Sequence, residues 1–159
     1  MLYPQLLGHD FEKLPRALRD FHSVPGGGSA SGTASVRRTR GWLAGMVGFP
    51  PSGDGIPVRL QVVASESEEI WIRRFGTAEL RTVQRPEGDL LLETVGPLRI
   101  YFRVFADPTG MRFQSQSARL WIVPIPLRIE ARVWGNDSWW EFQVTVAGVG
   151  SYRGTMVPT

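Results

Sequence analysis

Two histidines, His9 and His22, are the only imidazoles in a chain that contains no cysteine. A structural or catalytic zinc site takes three or four ligands, mostly histidine and cysteine, so these two fall short of one. A serine–histidine–acid triad would have to use one of them as its base, yet no Gly-x-Ser-x-Gly elbow is present. Both histidines sit in an N-terminal helical segment and read as helix-cap or surface residues. Glu66, Glu68 and Glu69 read as a solvated turn rather than an acid–base pair. No catalytic residue, metal site or cofactor is assigned. The glycine-rich run VPGGGSASGTASVRR (24–38) is the nearest thing to a phosphate-binding loop. A P-loop needs a strand before it, a helix after it and a Gly-Lys-Ser/Thr ending. Here the order is reversed and the lysine is missing, so the glycines serve backbone geometry.

A stronger pattern alternates arginine with aromatic residues. Trp71, Arg73 and Phe75 share one side of a strand over 69–75. Arg99, Tyr101, Arg103 and Phe105 share one side over 97–106, and Arg128, Glu130, Arg132 and Trp134 share one side over 127–134. Side chains alternate across a strand, so each group faces one way, with an aliphatic face behind it that reads as core. The arginine–aromatic face admits two readings. It lines a cavity, where Trp71, Arg73, Arg99, Tyr101, Arg103, Arg132 and Trp134 bind the carboxylate or phosphate of an amphipathic, lipid-like ligand. Alternatively it is the solvated side of an antiparallel sheet, laced by Arg–Glu pairs and arginines lying over rings.

The elements that carry these residues follow from periodicity. Phe11, Leu14, Leu18 and Phe21 recur at helical spacing, with Asp10 as a candidate N-cap and Pro15 marking a break or a fresh start. The helical segment spans 1–24 and ends near His22, ahead of Pro25 and three glycines. From residue 29 the pattern is period two: Ala30, Gly32, Ala34 and Val36 form one face of a strand. That face is small, which calls for something bulky over it, namely the N-terminal helix. GWLAGMVGFPPSGDG (41–55) reads as a short apolar helix over 41–48 stopped by Pro50-Pro51. Trp42, Leu43, Met46, Val47 and Phe49 form a flexible lid over a barrel mouth, dip into a membrane surface or plug one end of the barrel. Membrane docking usually needs a basic polar face, and only Arg40 is near, so the plug is the plainer account.

Strand follows strand from Ile56 onward, including the single run GMRFQSQSARLWIV (110–123), with turns such as PEGD, DPTG, PIP and GNDS between them. Connections of a few residues leave no room for the crossover helices of a parallel sheet. The expectation is a mainly β single domain spanning 1–159: an antiparallel up-and-down barrel or strongly curved sheet of about ten strands over 29–157. An N-terminal helix and a short second helix complete it. The alternative is an open curved sheet gripping the N-terminal helix.

Seventeen arginines and one lysine, Lys13, give a net charge of +3, but they are dispersed among fifteen acids. A nucleic-acid binder would cluster them, so no nucleic-acid partner is indicated. No apolar run approaches the roughly 20 residues of a membrane-spanning helix. The N-terminus lacks the basic and apolar regions of a signal peptide, and the expected location is the cytoplasm.

The stretches LYPQLLGHDFEKLPRALRDFH, SVRRTRGWLAGMVGFPP, WIRRFG, GPLRIYFRVFADPTGMRF and LWIVPIPLRIEARVW, with the closing YRG, resemble an uncharacterised family, the domain of unknown function 4166 proteins. The family has no established activity and supplies no catalytic residues. Its members stand alone or follow a dinucleotide-binding, dehydrogenase-like module, which implies a redox or lipid-metabolic setting and a partner of that kind. Three functions remain open. A small-molecule binding module predicts a lined cavity, and an interaction domain docking a dehydrogenase-like partner predicts the same residues on an exposed surface. An enzyme requires titratable groups converging in a cleft.

Overall fold

Short alternating strands joined by tight turns can bury their apolar faces by closing on themselves, which also removes exposed sheet edges. The computed structural model does this, describing residues 1–39, 41–46 and 48–159, with Leu43 and Met46 described for their backbone alone. Helix α1 (Leu2–Leu7), a 3₁₀ segment (Gly8–Lys13) and helix α2 (Arg16–His22) precede β1 (Ser29–Arg38). Helix α3 (Trp42–Met46) lies between β1 and β2 (Gly53–Ala64). An unbroken meander follows: β3 (Glu69–Phe75), β4 (Ala78–Glu87), β5 (Leu90–Val95), β6 (Leu98–Asp107) and β7 (Gly110–Leu120). After β8 (Val123–Ile125) come β9 (Ile129–Gly135), β10 (Trp140–Val146) and β11 (Gly150–Pro158). Each strand from β1 to β7 pairs antiparallel with the next, as do β9, β10 and β11; β7 pairs with β9, and β11 returns to β1, closing a ten-stranded barrel. The short β8 hangs on β7 outside the ring.

The run 110–123 is not one strand. It ends at Leu120, where Trp121 turns the chain at φ 55° and donates its N–H to the Pro97 carbonyl at 2.9 Å. The PIP expected as a separator lies partly within β8, an outer strand on which the missing N–H of Pro124 harms nothing.

The glycine run answers its own question. Gly26 and Gly28 carbonyls accept the N–H groups of Ala64 and Val62, extending the β1–β2 pairing beyond the strand. Gly27 sits at φ 109°, and a Cβ there would lie 1.9 Å from the Val62 carbonyl oxygen. Backbone cannot yield to that contact, so Gly27→Ala is expected to lower stability by about 1–3 kcal/mol. Gly41→Ala, which meets open space, should leave it unchanged; thermal unfolding followed by circular dichroism compares the two.

The helical segment differs from the expectation in two respects. Asp10 does not cap a helix: it lies in the 3₁₀ segment, 2.6 Å from Lys13 Nζ, and α2 starts after Pro15, whose fixed φ suits a helix start. The segment also packs chiefly on β4 and β6 rather than over the small face of β1. Ala17 N–H bonds the Asn136 carbonyl and the Phe21 ring lies 5.0 Å from that of Trp140, which holds α2 over one barrel end. Phe11, Leu14, Leu18 and Phe21 are all buried there, as their spacing predicts. Phe49, pinned by Arg38 Nη1 on its carbonyl at 3.0 Å, is buried at the other end. Among the described residues no helix is long and apolar enough to cross a membrane.

Candidate functional site: the barrel interior

Closing ten strands leaves more room than the side chains fill. A cavity of about 180 Å³ remains between the two plugs. Its walls are mostly apolar, with Leu60, Ile100, Phe102, Phe113, Val144 and Met156 among them. One wall is polar, and register explains it. Val58, Leu60 and Val62 of β2 face inward, and their partners on β3 are Phe75, Arg73 and Trp71. Paired residues share a face of the sheet, so the mixed face of β3 is carried inside and Ile70 and Ile72 are turned outward. The aliphatic face of this strand is therefore not its core face, contrary to the reading from sequence. On β4 the same register brings in Leu80, Thr82 and Gln84, and on β5 Leu91, Glu93 and Val95.

Arg73 is the cation of this wall. Its Nη1 donates to Thr82 Oγ1 at 3.0 Å and to Glu93 Oε1 at 3.3 Å, and its guanidinium carbon lies 4.8 Å from the Trp71 ring centre. Glu69 is only 3% exposed, so it is not part of a solvated turn. Trp71 Nε1–H donates to it at 3.0 Å and the Leu2 N–H also bonds it. Burial raises its pKa, and these two donors hold the rise in check.

The N-terminal helices add two groups. Tyr3 is fully buried, its hydroxyl donates to Gln84 Oε1 at 2.9 Å, and burial together with Glu69 and Glu93 raises its pKa well above the ordinary value. His22 is 6% exposed rather than a surface residue, with its ring 4.1 Å from Tyr3 and 5.7 Å from Trp71. Burial alone lowers its pKa to about 3, so the ring is neutral at pH 7. Tyr152 enters from β11 near the Phe49 plug, between Phe49, Phe75 and Phe142, and burial raises its pKa too. Neither the His22 imidazole nor the Tyr152 hydroxyl has a hydrogen-bond partner among the described residues, although both line the cavity.

The residues singled out in the sequence are divided by the barrel wall. Trp71 and Arg73 line the cavity, as does Phe49. Arg99, Tyr101 and Arg103 point outward, because their neighbours Leu98, Ile100 and Phe102 occupy the interior. Arg103 approaches Asp89 at 3.5 Å. Arg132 and Arg153 lie 5.3 and 5.4 Å from the Trp134 ring on the outer surface, which for β9 and β6 is the solvated alternative. Trp42 is exposed, and the Met46 side chain lies outside the described residues.

Sequence reasoning missed Tyr3, Glu69, Thr82, Gln84, Glu93 and Tyr152 and misplaced His22. The only available signal was the shared parity of Thr82 and Gln84 with Leu80, which marks a half-polar strand without saying which half faces in. Chemically the wall offers a neutral imidazole, a phenol and a neutralised arginine. Among the described residues neither histidine is hydrogen-bonded to a carboxylate, and no three metal-ligating side chains converge. No protein-family model, curated protein or solved structure matches the chain.

Proposed function

We propose that the barrel is a non-enzymatic binding module for one small, largely apolar, uncharged molecule carrying one or two hydrogen-bonding groups. The observation that carries this is an apolar cavity left between the side chains, lined by His22 and Tyr152, neither of which hydrogen-bonds another group among the described residues. Among the described residues no fully buried side-chain polar atom lacks a partner, so these two groups keep surface that a ligand hydroxyl or carbonyl lodged in the cavity can bond. The volume supports a modest ligand: at about 30 Å³ per water it holds about six waters, and a cavity of about 150 Å³ accepts benzene.

Charge argues against the anionic ligand suggested by the arginine-rich strands. Among the described residues the only arginine lining the cavity, Arg73, is engaged by Glu93, and a carboxylate or phosphate would meet that same Glu93 carboxylate. A monocyclic alcohol, phenol or ketone fits the same wall without a charge penalty.

Native mass spectrometry of freshly purified protein, compared with the denatured mass, tests the reading. Extra mass that leaves on denaturation is expected, or, for protein stripped of it, a raised melting temperature with phenol or cyclohexanone. A companion variant separates a binding site from a packing defect. Ala131 faces the void from β9, so Ala131→Leu fills part of it and should stabilise the protein by about 0.5–2 kcal/mol while removing ligand-induced stabilisation. Unchanged ligand response in that variant would place binding elsewhere and sink the proposal.

A further inference from the structure

The β7–β8 hairpin carries two features that folding does not require. Its two-residue tip is Trp121–Ile122, followed by Val123, and these are 72%, 88% and 58% exposed. Trp121 has φ 55°, where the first tip residue of such a hairpin is normally glycine. A bulky side chain held at positive φ is strained, and such strain persists where the surroundings impose it and clusters at functional segments. The tip is not a loose loop, since its N–H bond to the Pro97 carbonyl ties it to the β5–β6 turn.

Behind the tip, Arg99 on β6 stands directly across from Arg119 on β7. Both are exposed, and neither forms an ion pair among the described residues. Their cross-strand neighbours are Thr94 on β5 and Pro124 on β8, so the register brings no carboxylate beside them. Like charges facing each other across a strand pair are destabilising. An apolar tip with a cationic collar therefore faces outward at two local costs.

We infer that this hairpin docks the barrel on an anionic lipid surface, with Trp121 and Ile122 entering the headgroup–acyl boundary and Arg99 and Arg119 contacting lipid phosphates. Tryptophan favours that boundary because one edge of its ring is polar and the rest apolar. Arginine grips phosphate with paired N–H donors, and an anionic surface turns the Arg99–Arg119 repulsion into shared attraction. Strands alternate in direction, so the link after β1 leaves the barrel at the same end as the turns after β3, β5 and β7. Exposed Trp42 and the Phe49 plug thus share an end with the hairpin. This docking is independent of whether the cavity holds a ligand.

Co-sedimentation with vesicles of equimolar phosphatidylserine and phosphatidylcholine, against phosphatidylcholine alone, tests it. The protein should pellet with the anionic vesicles and release as salt is raised. Arg99→Ser and Arg119→Ser should each weaken partitioning about fivefold. The double variant Trp121→Gly/Ile122→Ser should weaken it by about tenfold or more, with an unchanged or higher melting temperature because glycine relieves the turn. Failure of the natural chain to pellet with anionic vesicles overturns the proposal, as does equal pelleting of the tip variant. A dimer in solution that the tip variant dissolves assigns the hairpin to self-association and overturns it too.

Discussion

Arg73→Met should cost about 3–5 kcal/mol of folding free energy, enough to leave much of the protein unfolded at 37 °C. The Arg73 and Glu93 side chains are only 18% and 15% exposed, and part of that surface faces the cavity. Removing the guanidinium leaves the half-buried Glu93 carboxylate without its cationic partner, takes the donor from Thr82 and uncovers the Trp71 ring. An isolated buried charge is costly, whereas the pair as a unit is worth little against apolar residues of similar volume. Arg73→Met/Glu93→Leu should therefore be markedly more stable than Arg73→Met alone. Urea unfolding followed by tryptophan fluorescence measures both. A loss below about 1 kcal/mol in the single variant would mean that the pair is screened as at a surface.

Acidification should destabilise the barrel well before the ordinary carboxylates protonate. The folded pKa of His22 is about 3, far below its unfolded value near 6.5, so between these values the unfolded chain binds a proton that the native state refuses. Stability then falls as pH falls, by up to about 1.4 kcal/mol per unit across that window. Glu69 works in the opposite sense. Its raised pKa means that the native state takes up its proton first, which adds stability as pH drops towards the unfolded value of 4.5. Asp54 and Asp107, both with lowered pKa values, add further loss only below about 3.8.

His22→Phe separates these contributions, because it keeps a ring against Tyr3, Phe21 and Trp71 but cannot titrate. Urea midpoints from pH 7 to pH 4.5 should slope for the natural chain and flatten in the variant. Equal slopes would show that His22 is protonated in the folded barrel.

Both effects arise from side chains whose importance is hidden in the sequence. Glu69 follows Glu66 and Glu68 in a run that resembles a solvated turn, yet it opens β3 with inward parity beneath the N-terminus. Tyr3 and His22 belong to short helices whose apolar spacing is plain, but nothing local says that a barrel lies below them. Tyr152 acquires its surroundings from Phe49, Phe75 and Phe142, which are distant in sequence and meet only on closure.

Legible in the residues alone is most of what depends on neighbours along the chain, though not the turn at Trp121 that splits 110–123 nor the 3₁₀ segment that takes Asp10. Period-two alternation and turn chemistry specify the strands, their antiparallel order and a helical segment whose stripe of Phe11, Leu14, Leu18 and Phe21 must be buried. The parity of each strand is also legible: Trp71, Arg73 and Phe75 belong together, and so do Arg99, Tyr101 and Arg103. Tertiary structure decided which parity faces in. β3 has one aliphatic and one mixed face, and only pairing with Val58, Leu60 and Val62 carries the mixed one inside, while on β6 Leu98, Ile100 and Phe102 win and the arginines go out. The cavity has the same origin, since its volume is set by the number of strands that close the ring and by the two plugs, and neither is a property of any one segment.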